Sequence, residues 1–214
     1  MTEGNGRESL SFLWDMDGTL VDSYPAIVPN VIDACAEYGY SIDADTVYRN
    51  VIKTSVGSFL ESLDTPHTAS VKARFQELND TRIEKIRPMS RALETLSRLR
   101  EAGHRHFVYT HRGASCRAIL ENCGLLPYFT EIVTALDGYP RKPAPDAIFY
   151  LMKKYALAPA QCYYVGDRSL DMEAARNASI GGILLLVPGS PTEPTGYESH
   201  VVRDLAELCK LFGA

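Results

Sequence analysis

Residues 9–20 read SLSFLWDMDGTL. Residues 9–14 form a short, mostly apolar run of the kind found in a strand buried on both faces. The run stops at Asp15, and Met16-Asp17-Gly18-Thr19 follows, a polar, glycine-containing turn. The same pattern recurs in HRHFVYT (104–110), EIVTAL (131–136), QCYYVG (161–166) and GGILLLV (181–187), and Val201-Val202 offers a short edge strand. Amphipathic helices separate these runs. An α/β fold is therefore expected, a parallel sheet of about five strands flanked by helices.

Helix signals support this. Ser90 is placed to cap a helix carrying Leu93, Leu96 and Leu99, with Gly103 at its C-terminal end. Residues 114–122 form the next helix, closed by Gly124. Pro145 and Asp146 open a third, with Ile148, Phe149 and Met152 on its apolar side. Residues 169–178 and 203–212 supply two more, and PGSPTEPTG (188–196) is loop. The alternation fails once. Between the first strand and Pro88 lie about 65 residues with helical signals and no clear strand, far beyond an ordinary connection. The reading is an inserted all-helical subdomain over 22–87, in a core built from 1–21 and 88–214.

Composition narrows the function. With 22 Lys+Arg against 27 Asp+Glu the net charge is −5, a poor match to nucleic acid, which basic patches recognise. No apolar stretch approaches the ~20 residues of a membrane span. The start, MTEGNGRESL, lacks the basic and apolar regions of an export signal. Cys35, Cys116, Cys123, Cys162 and Cys209 are an odd set without C-x-x-C spacing, which disfavours a disulfide scaffold or zinc ribbon. The expected setting is the reducing cytoplasm.

The chemistry sits just past the strands. Strand one ends at Asp15 with Asp17 close behind, and strand two ends at Thr110-His111-Arg112-Gly113. Arg141-Lys142-Pro143 follows strand three, and strand four ends at Gly166-Asp167 with Asp171 four residues on. In an open parallel sheet the carboxyl ends of the strands share one ligand-binding edge. Carboxylates from two strands suit a hard divalent cation, foremost Mg2+. A lysine and a hydroxyl opposite them suit a phosphoryl group. A carboxylate can attack phosphorus, and a second one nearby can act as acid for the leaving alkoxide and then as base for water.

D-M-D-G-T-L (15–20), Thr110, R-K-P (141–143) and G-D-x-x-x-D (166–171) resemble, in order and spacing, the four motifs of the haloacid dehalogenase superfamily. The helical insertion after the first motif resembles the cap of its phosphoglycolate phosphatase and beta-phosphoglucomutase branch. The resemblance implies a Rossmann-like core and a helical cap. It implies Asp15 as nucleophile and Mg2+ ligand, and Asp17 as general acid/base with its backbone carbonyl on the metal. It implies Thr110 and Lys142 on the phosphoryl oxygens, assisted by backbone N–H groups near Met16 and Asp17, with Asp167 and Asp171 as acidic metal positions. The presence of Asp17 favours phosphate over dehalogenase chemistry. T-H-R departs from the asparagine common after the second-motif hydroxyl; His111 is expected to meet phosphate through its backbone N–H only.

Other features read as structural. His104 and His106 share a strand face, and Cys116 and Cys123 share a helix face. QELNDTRIEKIR (76–87) reads as a solvated helix of mixed charge. Thr54 to Ser58 reads as a glycine-containing loop between cap helices. Arg49 and Lys53 are ordinary solvated cations or, equally, charge for an acidic substrate. Hinges are expected at 21–23 and 86–88. The leading expectation is a Mg2+-dependent phosphatase of a small phosphorylated metabolite, binding neither nucleic acid nor membrane, as a monomer or weak homodimer. A phosphomutase sharing the same intermediate is the alternative, and a non-catalytic phospho-receiver or binding module a more distant one.

Overall fold

A computed structural model of the chain describes residues 8–214. The chain enters a sheet at β1 (Ser11–Trp14) and turns into a short strand, β2 (Val21–Asp22). It runs through four helices, α1 (Tyr24–Ala36), α2 (Ala44–Lys53), α3 (Val56–Ser62) and α4 (Thr68–Thr81), and returns by β3 (Arg87–Pro88). Then follow α5 (Ala92–Glu101), β4 (Arg105–Tyr109), α6 (Cys116–Asn122), β5 (Glu131–Val133), α7 (Asp146–Tyr155) and β6 (Cys162–Gly166). The chain closes with α8 (Ser169–Asn177), β7 (Gly181–Leu185), β8 (His200–Val202) and α9 (Ala206–Phe212).

Six strands form one sheet in the order β5-β4-β1-β6-β7-β8, all parallel, so the expected edge strand completes it. Register sorts the side chains. Leu13 lies opposite Phe107 and Tyr164, while Phe12 lies opposite His106 and Tyr163. Because alternate residues face opposite ways, Phe12, Trp14, Val108 and Val165 join one buried layer with Leu96, Leu99, Ile119 and Leu208. Leu13, Phe107, Tyr109 and Tyr164 join the other, with Ile148, Leu151 and Ala174. Each buried side chain of this size contributes about 1.5–3 kcal/mol. Helices α1–α4 close on a third cluster, with Ile27, Val31, Val51, Leu60, Phe75 and Leu78 inside.

Several local expectations change. A two-residue antiparallel ribbon, β2 with β3, lies in the stretch read as strand-free, at the positions proposed as hinges. EIVTAL stops being strand at Val133, because the Thr134 hydroxyl caps a 3-10 turn over Ala135–Asp137. Ser90 does not cap α5; Arg91 holds that position in the left-handed region, φ 64°, without a side-chain cap. Phe149 is half-exposed, and the buried face of α7 is Ala147, Ile148 and Leu151. The loop between α2 and α3 shrinks to Thr54-Ser55, since Ser55 caps α3 and Gly57 lies in its first turn.

His106 Nδ1 accepts the Trp14 indole N–H at 3.1 Å, and His104 Nδ1 accepts the Leu10 N–H at 3.2 Å, so both imidazoles brace the chain at β1. The five cysteines are free and buried. No helix among the described residues is long and apolar enough to cross a membrane. Residues 1–7, on which most of the export-signal reading rests, lie outside the described residues.

Candidate active site

Backbone hydrogen bonds set the first positions. The ladder continues one residue past two strands: Asp15 N–H donates to Val165 O at 2.8 Å, and Thr110 N–H to Val133 O at 3.0 Å. Beyond Asp15 the chain coils tightly, the Met16 carbonyl accepting from Leu20 and Val21. Gly18 makes this possible. Its φ is +76°, and a Cβ there would stand 2.3 Å from Asp167 Oδ2. Gly166 answers a second crowding, since its Cβ would meet the Asp171 side chain at 2.5 Å.

Asp15 is buried between two cations. Its Oδ1 lies 2.9 Å from Lys142 Nζ, and its Oδ2 accepts from Arg168 Nη2 at 3.2 Å. Burial alone drives its pKa up, but Lys142 and Arg168 together hold it below the usual value, so the carboxylate is ionised. Lys142 Nζ also donates to Asp171 Oδ1 at 2.7 Å and to the Tyr164 hydroxyl at 3.0 Å. Tyr164 in turn donates to Tyr109 O at 2.6 Å, which fixes the ammonium's seat. Asp167 accepts from Thr19 Oγ1 at 3.1 Å and Tyr24 OH at 2.8 Å.

Asp15, Asp167 and Asp171 are all buried, and each brings one carboxylate oxygen within 4.8 Å of the others'. Three carboxylates thus face two cations, Lys142 and Arg168. The surplus negative charge shows in the titration. Burial, with Asp171 and Asp15 adding and Arg168 opposing, pushes Asp167 up to about 7. Burial likewise raises Asp171, against Lys142. Three buried carboxylates that outnumber their two cationic neighbours fit a hard divalent cation.

The second aspartate of the turn is held separately. Arg112 Nε lies 3.0 and 3.1 Å from the two Asp17 oxygens, and Nη2 donates to Oδ1 at 2.7 Å. The Arg112 side chain is fully buried, and although burial opposes its charge, Asp17 beside it outweighs that and raises its pKa. Thr110 Oγ1 accepts the Arg112 N–H at 3.1 Å. His111 Nε2 accepts the Lys142 N–H at 2.8 Å, and burial, with Lys142 second, keeps this imidazole neutral. The His111 side chain therefore orients the Lys142 loop.

Asp15, Asp17, Thr110 and His111 line a cavity of about 370 Å³, roofed by Ile27, Val51, Leu60 and Phe75 of the helical insertion. Lys142, Asp167 and Asp171 stand behind Asp15, so all seven residues singled out in the sequence come together. Arg49 and Lys53 do not line it; Arg49 pairs with Asp45 on an exposed helix face. The cations that do are Arg112, Arg168, Lys72, which pairs with Glu61, and Arg141, which feels the Glu61 charge but forms no salt bridge among the described residues. Sequence reading passed over Arg112 and Arg168, although each directly follows a motif residue.

A family model for haloacid dehalogenase-like hydrolases matches residues 12–184. The chain is 26% identical over 216 residues to a phosphoglycolate phosphatase of Vibrio parahaemolyticus serotype O3:K6, spanning 92% of this chain and 93% of that protein. It is 27% identical over 217 residues to a phosphoglycolate phosphatase of Mannheimia succiniciproducens, spanning 92% and 96%. The crystal structure of a predicted phosphoglycolate phosphatase from Haemophilus somnus 129pt has the same fold, with a TM-score of 0.83 at 22% identity over 97% of this chain and 99% of that one.

Proposed function

The chain belongs to the haloacid dehalogenase-like hydrolase family and is a phosphatase of its phosphoglycolate phosphatase-like branch, and we propose that it hydrolyses a small phosphomonoester, of phosphoglycolate or sugar-phosphate type, through an aspartyl phosphate on Asp15. One observation carries this reading: Asp15 is a buried carboxylate held ionised by Lys142 and Arg168 on the wall of a metabolite-sized cavity.

In the first step an Asp15 carboxylate oxygen attacks phosphorus and the ester P–O bond breaks, with Asp17 giving its proton to the departing alkoxide. In the second, Asp17 takes a proton from water, whose oxygen attacks phosphorus; inorganic phosphate leaves and Asp15 is regenerated. The Thr110 hydroxyl, the Lys142 ammonium and the backbone N–H groups of Met16, Asp17 and His111 hold the phosphoryl oxygens. The carboxylates of Asp15, Asp167 and Asp171, with the Asp17 carbonyl, would hold Mg2+. When bound, the cation offsets the repulsion between an anionic nucleophile and an anionic ester.

Residues 22–87 act as the cap over a core of 1–21 and 88–214. Its apolar roof shields the reaction from bulk water and admits metabolites rather than phosphoproteins. Arg141, at the cavity wall, favours a second anionic group on the substrate. Free, buried cysteines accord with a cytoplasmic setting.

The test is phosphate release from a panel of phosphorylated metabolites, with and without Mg2+. Asp15→Ala is expected to abolish turnover, and Asp17→Asn to lower it by about 10²–10⁴-fold, the usual worth of general acid–base catalysis. Turnover by Asp15→Ala at the wild-type rate, or none by wild type on any ester, overturns the reading.

A further inference from the structure

We propose that Arg112 is the positioning residue for the Asp17 carboxylate and ties it to the seat of the helical cap; this rests on the reading of Asp17 as acid and base.

The contact is a fork. Two guanidinium nitrogens, Nε and Nη2, meet one carboxylate at 2.7 to 3.1 Å, an arrangement that fixes the plane of the carboxylate as well as its place. Asp17 needs such a hold, because it sits on a turn with its side chain 20% exposed to the cavity and free to rotate away. The remaining nitrogen, Nη1, points elsewhere. It donates to the Asn79 carbonyl at 3.3 Å and to Ser115 Oγ at 3.2 Å. Asn79 lies in the last turn of α4, where carbonyls lack helical partners and a cation is favoured. The next residue, Asp80, accepts from Ser115 Oγ at 2.8 Å.

One buried guanidinium therefore joins three segments: the turn after β1, the loop after β4 and the C-terminal end of α4. Four of its five N–H groups have protein acceptors, so it is committed to this frame rather than offered to the substrate. A lysine cannot copy it, having a single nitrogen. Seating α4 and orienting the acid are thus one event, and Asp17 is aimed when the cap is docked.

A group that matters only through the acid affects esters in proportion to how much their leaving group needs a proton. Wild type, Arg112→Lys, Arg112→Gln and Asp17→Asn are to be compared on an alkyl phosphate and on p-nitrophenyl phosphate. The comparison uses kcat/KM, which reports steps up to alcohol release. Arg112→Lys, which keeps the buried charge, is expected to fall on the order of 10–10²-fold on the alkyl ester and at least about tenfold less on the aryl ester. Adding Arg112→Lys to Asp17→Asn is expected to cost nothing further. Thermal melting checks folding, and if Arg112→Gln does not fold, the lysine variant carries the comparison. Equal losses on both esters, or additive losses in the double variant, overturn the proposal alone. Wild-type alkyl-ester turnover by Asp17→Asn overturns the acid–base reading on which it rests.

Discussion

Asp167 stands between two hydroxyl donors and two other buried carboxylates, and burial with their charge lifts it from 3.8 to about 7. The sign of the consequence follows from proton counting. Between those values the folded protein keeps a proton that the unfolded chain has released, so stability without metal falls as pH rises through this window and levels off above about 7. Asp167→Asn removes the group that titrates. At pH 8, in EDTA, the variant is expected to be more stable than wild type by a few kcal/mol, at about 1.4 kcal/mol for each unit of the rise. Mg2+ at about 100 times its Kd is expected to add about 2.7 kcal/mol to wild type, which binds it only when folded, and nothing to the variant. Urea midpoints in EDTA and in Mg2+ check both halves; a variant still stabilised by Mg2+ refutes the assignment of Asp167 to the metal. The carboxylates were legible in the sequence through the four-part pattern of motifs in order; a single aspartate past a strand is usually a loop or cap residue. Arg112 and Arg168 were not, since a lone arginine in a loop reads as solvated until its burial is known.

Among the elements, β1 and β4 are joined by an unusual pair, the Trp14 indole donating to His106. Burial foremost, with the neighbouring His104 adding, lowers the His106 pKa from 6.5 to about 3. Here the folded state refuses a proton that the unfolded chain accepts. Stability is therefore complete above about 6.5 and is lost toward 3, at about 1.4 kcal/mol per pH unit. His106→Gln keeps an acceptor for the indole and removes the titration. Its stability is expected to fall less steeply than that of wild type between pH 6.5 and 4, and parallel urea profiles of the two proteins refute the account. The strands themselves were readable from apolar runs, whose length and alternation survive without tertiary context. What escaped was shorter than a period. β2 and β3 have two residues each, the Arg91 start of α5 has no side-chain cap, and the run of apolar residues in α7 hid which face is buried.

Across the whole molecule, the sheet buries two layers and the four inserted helices bury a third of their own. The division was visible in the sequence as a long helical gap between the first strand and Pro88. The join was not. QELNDTRIEKIR read as a solvated face, yet Asn79 is buried and Asp80 bonds Ser115 across to the core. The helices are thus tied to the sheet by a two-residue ribbon, a few polar contacts and the packing of Ala26, Ile83 and Ile86 on one sheet layer, while most of their apolar side chains form a cluster of their own. Such an organisation predicts separate opening, because the free energy of a local unit depends on its own buried contacts. Phe75 is buried within the third cluster, and Phe75→Ala at such a site costs about 3–5 kcal/mol. Native-state hydrogen exchange is expected to speed up by about 10²–10³-fold for amides of α1–α4, with β1, β4 and β6 keeping their protection. Leu13→Ala, in the sheet layer, is expected to weaken protection throughout. If Phe75→Ala instead loosens the sheet and the helices together, residues 22–87 are not a unit that opens alone, and the cap boundaries proposed above are wrong.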